Sequence, residues 1–228
     1  MDTHLIKILK RQINSTPLKK SYNFTYKTQK YNIETIIKYI LIVLKKSLTW
    51  RDLSIFYNNI CWNTIYKHFI KLSKYNIFRS SYSSLLTKYF RKTPTKKLKC
   101  VYTDTTVIYN KNGLDNIGRN KYHKNKKVTK ISVITDDKRI PIMANIYSGN
   151  IYDSKILFDQ LENNKFIIND NLIKKNKYII GDKGYDSNKL REILNTKYNS
   201  TLIAPQNKRN IKNPALLRTL SIEQEKNV

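Results

Sequence analysis

The sequence is poor in cysteine. Its two cysteines, Cys61 and Cys100, lie far apart among 228 residues. This spacing excludes a disulfide framework and the paired spacing of a structural zinc site. We therefore expect a reduced, intracellular setting.

Long apolar runs are also missing. The most apolar segment, residues 36–44, is interrupted by Lys38 and is too short to cross a bilayer. The first four residues, Met1 to His4, do not resemble a signal peptide. We predict no membrane association, no secretion, and an intracellular compartment that contains DNA.

Acidic residues are the third scarce class. Sixteen Asp and Glu face 44 Lys and Arg, which gives a net charge of +28. A chain with this charge favours a polyanionic partner, and nucleic acid is the usual one. Residues 1–100 hold only three of the acids, so the first part favours DNA binding and the second holds the carboxylates that hydrolysis needs. An AT-rich genome, whose codons favour Lys, Asn, Ile and Tyr, is the alternative explanation of the charge.

The first ninety residues predict short helices. Apolar residues repeat at helical spacing over 33–44, and Thr49 with Asp52 has the spacing of a capping box. Further helices are expected at 50–57, around Ile65 to Leu72, and at 78–90. Short helices on a basic background are typical of a helix-turn-helix unit, and a bundle that makes dimer contacts is the alternative. Residues 1–32 are interpreted as a basic arm, flexible or weakly helical, and 91–99 as a linker.

From residue 100 the pattern changes to α/β. Runs rich in β-branched residues and Tyr predict strands at 101–109, 128–135, 140–147, 178–181 and 201–204. Asp136 and Asp137 fit a hairpin turn, Asp153 the N-cap of a helix to about 162, and Asp186 or Ser187 the cap of a helix to about 196. The order predicts an antiparallel hairpin on a partly parallel sheet, with a domain at 100–228.

Two carboxylates stand out in this second part. Asp104 lies inside an apolar strand, where an acid is costly unless something satisfies it. Asp182 ends another strand, a position that commonly faces a site in open α/β sheets. Together they offer hard oxygen ligands for Mg²⁺, and a metal pair can assist attack on a phosphodiester. The structural alternatives are a hydrogen bond from Asp104 to a nearby turn and a turn that Asp182 merely starts.

Several runs in consistent order resemble a known family. They are residues 36–44, 49–53 (TWRDL), 63–69 (NTIYKHF), 104–106 (DTT), the basic stretch 118–130, 131–136 (ISVITD), 148–154 (SGNIYDS) and 181–186 (GDKGYD). The chain resembles the insertion-sequence DDE transposases of the IS-five-like and IS-four-like groups, over nearly its whole length from residue 33.

That resemblance implies an RNase H-like core with Asp104 and Asp182 as the first two catalytic, metal-binding carboxylates, and Mg²⁺ or Mn²⁺ as cofactor. It implies cleavage at transposon ends and strand transfer into target DNA. We expect double-stranded DNA partners, namely terminal inverted repeats and target DNA, and a homodimer on DNA. The basic residues expected to contact DNA are Arg51, Lys67, Lys71, Arg119, Lys124, Lys126, Lys127, Lys130 and Lys183.

The sequence departs from the family near its C-terminus. Members carry a third acid, a Glu preceded by spaced Tyr and Arg, on a helix after the last strand. Residues 220–225 resemble the segment before that helix, and Glu223 and Glu225 are interpreted as solvated acids. We therefore expect no third carboxylate here and a core incomplete at its C-terminus. A non-catalytic DNA-binding remnant or inhibitor of transposition, and a nuclease that cuts without joining, remain as alternatives.

Overall fold

The computed structural model describes residues 3–22, 31–92, 100–110, 115–163 and 178–207. The chain divides into two compact units, Met1–Lys88 and Tyr89–Val228. We call them the helical unit and the sheet unit. No helix in the described ranges combines the length and apolarity of a bilayer-spanning segment.

The helical unit is built from six helices among the described residues. They are α1 (Thr3–Asn14), α2 (Leu18–Tyr22), α3 (Ile33–Lys46), α4 (Asp52–Phe56), α5 (Trp62–Lys74) and α6 (Ile77–Lys92), of which the last continues into the sheet unit. The core is formed by the apolar faces of these helices, including Ile36, Ile40, Leu53, Ile65 and Leu72. Since α6 ends at Lys92, the first two residues of the predicted 91–99 linker are helical, and residues 93–99 lie outside the described ranges.

The predicted capping box is present in front of α4. The Thr49 amide donates to Asp52 Oδ2 at 2.8 Å, and the Asp52 amide donates to Thr49 Oγ1 at 3.4 Å. These two bonds satisfy amides that the start of a helix leaves without partners. The turn between α4 and α5 is closed by Ser54, whose hydroxyl donates to the Ile60 carbonyl and accepts from the Trp62 amide.

Part of the predicted N-terminal arm is a packed helix. Leu9 and Ile13 of α1 are buried and belong to the same core as Ile36 and Ile40 of α3. Lys10 also forms an ion pair with Glu34 across these helices. The arm interpretation was wrong here because Leu5, Leu9 and Ile13 repeat at intervals of four, which places them on one helical face.

The sheet unit is a mixed α/β core with a mixed sheet, as expected. Its strands are β1 (Cys100–Tyr109), β2 (Gly118–Asn120), β3 (Lys126–Asp136), β4 (Pro141–Ser148), β5 (Tyr178–Ile180) and β6 (Thr201–Ile203). The order runs β2-β3-β1-β5-β6, and β4 also pairs with β3. β3 is antiparallel to β1 and to β4, whereas β5 is parallel to β1 and to β6. The three-residue β2 was missed because its sequence is too short and too polar for a strand signal.

Two helices cover one face of this sheet. Leu157 and Leu161 of α7 (Asp153–Asn163) and Leu190 and Leu194 of α8 (Asn188–Tyr198) pack in one core with residues of β1, β3, β4, β5 and β6. Ser187 caps α8 by accepting from the Leu190 amide. Along β1, Val101 and Thr103 point to the covered face. Tyr102 and Asp104 alternate with them and are exposed.

We predict that α1 is part of the folded helical unit. Ile13→Ala should lower the free energy of unfolding by about 3 kcal/mol, because it removes a buried side chain and leaves a cavity. Lys7→Ala, an exposed position on the same helix, is the matched control and should change the stability by less than about 0.5 kcal/mol. Chemical denaturation of the full chain measures both. Equal, small effects would mean that α1 is not packed as described.

Candidate active site

The register between β1 and β5 places Asp104 level with Asp182. Cys100, Val101 and Tyr102 pair with Tyr178, Ile179 and Ile180, and the same offset separates Asp104 from Asp182. Neighbouring strands lie about 4.8 Å apart. Since β5 ends at Ile180, Asp182 follows the strand end directly beside the middle of β1. The strand register is therefore compatible with the sequence prediction that Asp104 and Asp182 lie side by side.

Both carboxylates are exposed and only partly satisfied by protein groups. Asp104 Oδ1 accepts from the Thr105 amide at 2.7 Å, and Asp182 Oδ1 accepts from the Gly184 amide at 2.8 Å. Among the described residues, neither carboxylate forms an ion pair, although the chain holds 44 Lys and Arg. Each acid therefore keeps an oxygen, Oδ2, that is not engaged by the described protein groups.

The turn after β5 needs two glycines for space. Asp182 caps the 3₁₀ turn Lys183–Tyr185. A Cβ on Gly184 would lie 2.9 Å from Asp182 Oδ1 and 2.9 Å from Asp153 Oδ2, and a Cβ on Gly181 would lie 2.8 Å from the Tyr185 ring. Neither glycine has a positive φ. The GDKGYD run therefore requires glycine because the acids and Tyr185 approach the backbone closely.

Asp153 reaches the same place from α7. Its Oδ1 accepts from the Thr105 hydroxyl at 2.9 Å and from Lys130 Nζ at 2.7 Å. A Cβ built on Gly184 would lie 2.9 Å from Asp153 Oδ2 and 2.9 Å from Asp182 Oδ1. The distance between these two carboxylate oxygens is therefore no more than twice 2.9 Å. The expectation that Asp153 is a helix N-cap was wrong: it is the first residue of α7, and its carboxylate binds strands β1 and β3.

Lys130 is not the exposed, phosphate-tracking lysine that we expected. It is 8% exposed, and its ammonium donates to Asp153 Oδ1 and to the Ile151 carbonyl at 2.8 Å. The alternation of β3 explains this, because Lys130 shares the covered face with Val128 and Ser132. A buried ammonium requires an anionic partner, and Asp153 supplies it.

Tyr185, the last residue of the 3₁₀ turn after β5, is buried. Burial and the nearby Asp153 and Asp104 carboxylates raise the pKa of Tyr185 to about 12, while the Thr103 and Thr105 hydroxyls oppose that rise. Neither the Tyr185 hydroxyl nor that of Thr103 meets full hydrogen-bond geometry with a described partner, although they lie close to each other. Tyr185 thus remains neutral and fills the space between Gly181 and Thr103.

Other acids in this unit have structural partners. Asp186 pairs with Arg191 at 2.9 Å, and Arg191 also donates to the carbonyls of Leu202 and Ala204, which fixes the end of β6 against α8. Asp136 is buried in the β3–β4 turn and accepts from Tyr89 and from the Lys138 and Ile140 amides. The carboxylates of Asp186 and Asp136 are therefore engaged in contacts that stabilise the fold, unlike those of Asp104 and Asp182.

Most of the predicted DNA-contacting residues are exposed. Arg51 and Lys67 are exposed and Lys71 is half-buried in the helical unit, where Arg51 lies over Trp62 and Lys71 over Tyr22. In the sheet unit the exposed members are Arg119, Lys124, Lys126, Lys127 and Lys183. Of these nine residues, only Lys130 is buried.

The donor set suits a hard divalent cation. Carboxylate oxygens are the ligands that Mg²⁺ and Mn²⁺ prefer, and two of them, Asp104 and Asp182, lack a protein counter-ion in the described part of the chain. No group of three or more His, Cys, Asp or Glu side chains that could hold a metal occurs among the described residues. Glu223 and Glu225 lie outside those residues.

Asp153 could have been found from the strand order. β4 runs in the same direction as β1, because both are antiparallel to β3. Asp153 is the first acid after β4, as Asp182 is the first after β5. Acids that follow parallel-running strands converge at one edge of a sheet, and we applied this rule only to Asp182.

One family model matches this chain, and two solved structures are similar to it. The family described as "Transposase DDE domain" matches residues 89–228, well over half of the chain and the whole sheet unit. A piggyBac transposase synaptic complex with hairpin DNA is 12% identical, with a TM-score of 0.46 over 94% of this chain and 50% of that one. This chain thus spans half the length of that protein. A pre-cleavage Mos1 transpososome is 9% identical, with a TM-score of 0.33 over 89% of this chain and 78% of that one. No curated protein matches the sequence.

We predict that Lys130 and Asp153 stabilise the fold as a pair. Lys130→Met should lower the free energy of unfolding by about 2 kcal/mol, since it leaves Asp153 partly buried without a counter-charge. Combining it with Asp153→Asn should cost less than the sum of the two single changes. Lys155→Met, at an exposed position on α7, is the control and should have an effect below about 0.5 kcal/mol. Additive single and double changes in denaturation experiments would contradict the pairing.

Proposed function

Since this chain belongs to the transposase DDE domain family, we propose that it cuts DNA at transposon ends and transfers the freed strand into target DNA. The observation that carries the proposal is the pair Asp104 and Asp182. Asp104 lies on β1, and Asp182 follows the end of the adjacent parallel strand β5 at the matching register position. Both acids are exposed, and neither makes an ion pair with described residues of this strongly basic chain. If these two acids served only the structure of the fold, we would expect each to pair with a cation. Asp153 pairs with Lys130 in this way, and Asp186 pairs with Arg191.

We also propose that Asp104 and Asp182 hold a divalent cation, Mg²⁺ or Mn²⁺. Such a cation, when bound, lowers the pKa of an attacking hydroxyl and offsets charge on the phosphate. The protein's own groups supply the placement: Thr105 and Gly184 amides orient the two carboxylates by fixing one oxygen of each. The Thr105 hydroxyl is in turn fixed by Asp153, which Lys130 holds.

DNA binding is proposed from charge and exposure. The first hundred residues hold 21 Lys and Arg against three acids. Arg51, at the start of α4, and Lys67, on α5, are exposed on two of the short helices that are typical of a helix-turn-helix unit. We propose that this unit binds duplex DNA at terminal inverted repeats, and that two copies of the chain assemble on the DNA. The exposed cations of the sheet unit would hold phosphates near the carboxylates.

A second candidate function is DNA binding without cleavage. It is favoured because the described ranges hold no group of three His, Cys, Asp or Glu side chains that could bind a metal. A chain of this kind would occupy transposon ends and act as an inhibitor or a remnant. A nuclease that nicks but does not join is the remaining variant of the first proposal. Parallel measurements of DNA binding, nicking and strand joining separate these activities.

We predict that Asp182→Asn abolishes cleavage and leaves binding intact. In the presence of Mn²⁺ the full chain should nick a supercoiled plasmid that carries the DNA flanking its gene, and Asp182→Asn or Asp104→Asn should lower the rate at least about a hundred-fold. DNA affinity should stay equal or rise, because one negative charge near the phosphates is removed.

The matched control is Asp137→Asn, an exposed turn acid in the same sheet unit, which should nick at the normal rate. Stability should change by less than about 0.5 kcal/mol in the Asp104 and Asp182 variants. Retained DNA binding with no nicking by the unaltered chain would instead support the binding-only function. A large loss of fold stability in either variant would make the acid structural.

We also predict a steep salt dependence of duplex binding. Affinity should fall at least about a hundred-fold between about 50 and 200 mM salt, because phosphate contacts release condensed counter-ions. Lys67→Met should reduce the slope of log affinity against log salt by about one. Fluorescence anisotropy with a labelled duplex measures both. Affinity that is flat across salt would remove the electrostatic basis of the proposal.

A further inference from the structure

One oxygen of Asp153 joins three elements beside the candidate active site. Asp153 is the first residue of α7, and its Oδ1 accepts from the Thr105 hydroxyl of β1 at 2.9 Å and from Lys130 Nζ of β3 at 2.7 Å. The ion pair is largely shielded from water, because the Asp153 side chain is only 24% exposed and Lys130 is buried. This oxygen therefore ties α7 to both strands at the residue that follows Asp104.

The other oxygen of Asp153 faces the turn that carries Asp182. Asp153 Oδ2 lies 2.9 Å from the position that a Cβ on Gly184 would occupy, and the Gly184 amide donates to Asp182 Oδ1 at 2.8 Å. On the other side, the Thr105 amide donates to Asp104 Oδ1 at 2.7 Å. The carboxylate of Asp153 thus lies close to both residues whose amides orient the candidate metal ligands.

The attachment of α7 to the sheet has other sources. Leu157 and Leu161 of α7 are buried in the core of the sheet unit. Ser132 of β3 donates to Gln160 Oε1 of α7 at 2.6 Å, and both side chains are buried. Replacing a buried ion pair by well-packed apolar side chains often costs no stability, because both charges lose their hydration on burial. The charged pair beside Thr105 therefore calls for a reason other than the attachment of α7.

The contacts of Asp153 give that reason in the placement of the ligands. Groups that hydrogen-bond to metal ligands fix the orientation of those ligands, and their removal typically costs about 10- to 100-fold in metal affinity. The Thr105 and Gly184 amides can orient Asp104 and Asp182 only while the backbone at both residues keeps its place, and Asp153 lies against both. Because Lys130 offsets the charge of Asp153, the effect of this acid is on placement.

We propose that Asp153 is a positioning residue for the candidate cation site. It holds β1 at Thr105 and the turn at Gly184 in the places from which Asp104 and Asp182 bind one divalent cation together. This inference rests on the proposed function in that these two acids hold Mg²⁺ or Mn²⁺. Asp153 itself contacts neither the cation nor DNA in this proposal.

The test measures Mn²⁺ binding by the full chain without DNA, with electron paramagnetic resonance reporting free Mn²⁺. The site is defined as the binding that Asp104→Asn removes. Thr105→Val removes the hydroxyl that donates to Asp153 but keeps the shape of the side chain and the amide that donates to Asp104. It should weaken Mn²⁺ binding at this site about ten-fold. Thr105→Ser keeps the hydroxyl and should bind Mn²⁺ as the unaltered chain does.

A double variant tests whether Asp153 acts through Thr105. Asp153→Ala should weaken Mn²⁺ binding at least as much as Thr105→Val, because it releases both Thr105 and the Gly184 turn. Adding Thr105→Val to Asp153→Ala should cause no further loss, because the two changes remove the same contact. Where Asp153→Ala fails to fold, the comparison of Thr105→Val with Thr105→Ser decides the question alone.

Ser132→Ala is the matched structural control. It removes a buried hydrogen bond between the same two elements, β3 and α7, at a place that does not contact Thr105. It should lower the midpoint of chemical denaturation and leave Mn²⁺ affinity unchanged. A loss of Mn²⁺ affinity in Ser132→Ala as large as that in Thr105→Val would reduce the effect to general stability and overturn the proposal.

The same titrations separate this inference from the proposed function. If Asp104→Asn leaves Mn²⁺ binding unchanged, the shared cation site is absent, and the cation proposal fails together with this inference. If Asp104→Asn removes the site while Thr105→Val and Asp153→Ala leave it intact, only the positioning role of Asp153 fails. A chain that shows the Thr105→Val effect but never nicks DNA would retain the positioning role and lose the catalytic function.

Discussion

The parallel register between β1 and β5 is the constraint on which the site depends. Three residue pairs, Cys100 with Tyr178 through Tyr102 with Ile180, fix the offset that brings Asp104 level with Asp182. A slip of one residue would turn one of the two side chains to the opposite face. The slip is opposed by apolar side chains on both faces, since Val101 and Ile179 belong to the large core and Cys100 and Tyr178 to a second cluster.

Contacts with other protein groups divide five aspartates of the sheet unit into two groups. Asp153, Asp186 and Asp136 are engaged by Lys130, by Arg191, and by Tyr89 with turn amides, respectively, and they join elements of the fold. Asp104 and Asp182 have no such cation in the described ranges, so their charges face solvent and the DNA proposed to lie there. Between the groups, the Lys130–Asp153 pair holds Thr105 next to Asp104. This pair connects the hydrophobic packing of α7 to the geometry of the candidate active site.

Much of this arrangement is predictable from the sequence. β-branched runs predicted β1, β3, β4, β5 and β6 to within about two residues at each end. Thr49 with Asp52 predicted the pair of hydrogen bonds in front of α4, although the helix begins at Asp52 and not at residue 50 as expected. Local sequence patterns gave wrong predictions where the environment of a residue depends on tertiary contacts. Lys130 looks like a surface lysine, yet strand alternation turns it inward to meet an acid 23 residues later. Asp153 fits a helix cap by local rules, yet its partners lie on β1 and β3. The basic composition of residues 1–32 led us to predict an arm there. The apolar face of α1 is nevertheless buried, because it packs in one core with α3.

Asp104 and Asp182 are proposed to bind one divalent cation together. Fe²⁺ substituted for Mg²⁺ and treated with ascorbate and peroxide generates hydroxyl radicals that cut the polypeptide beside the bound ion. If the two acids share one cation, the full chain is cut near residue 104 and near residue 182 in the same reaction, and Asp104→Asn alone suppresses both cuts. Cutting at only one of the two places, or an Asp104→Asn pattern with the cut near 182 unchanged, would contradict a shared cation and with it the catalytic function.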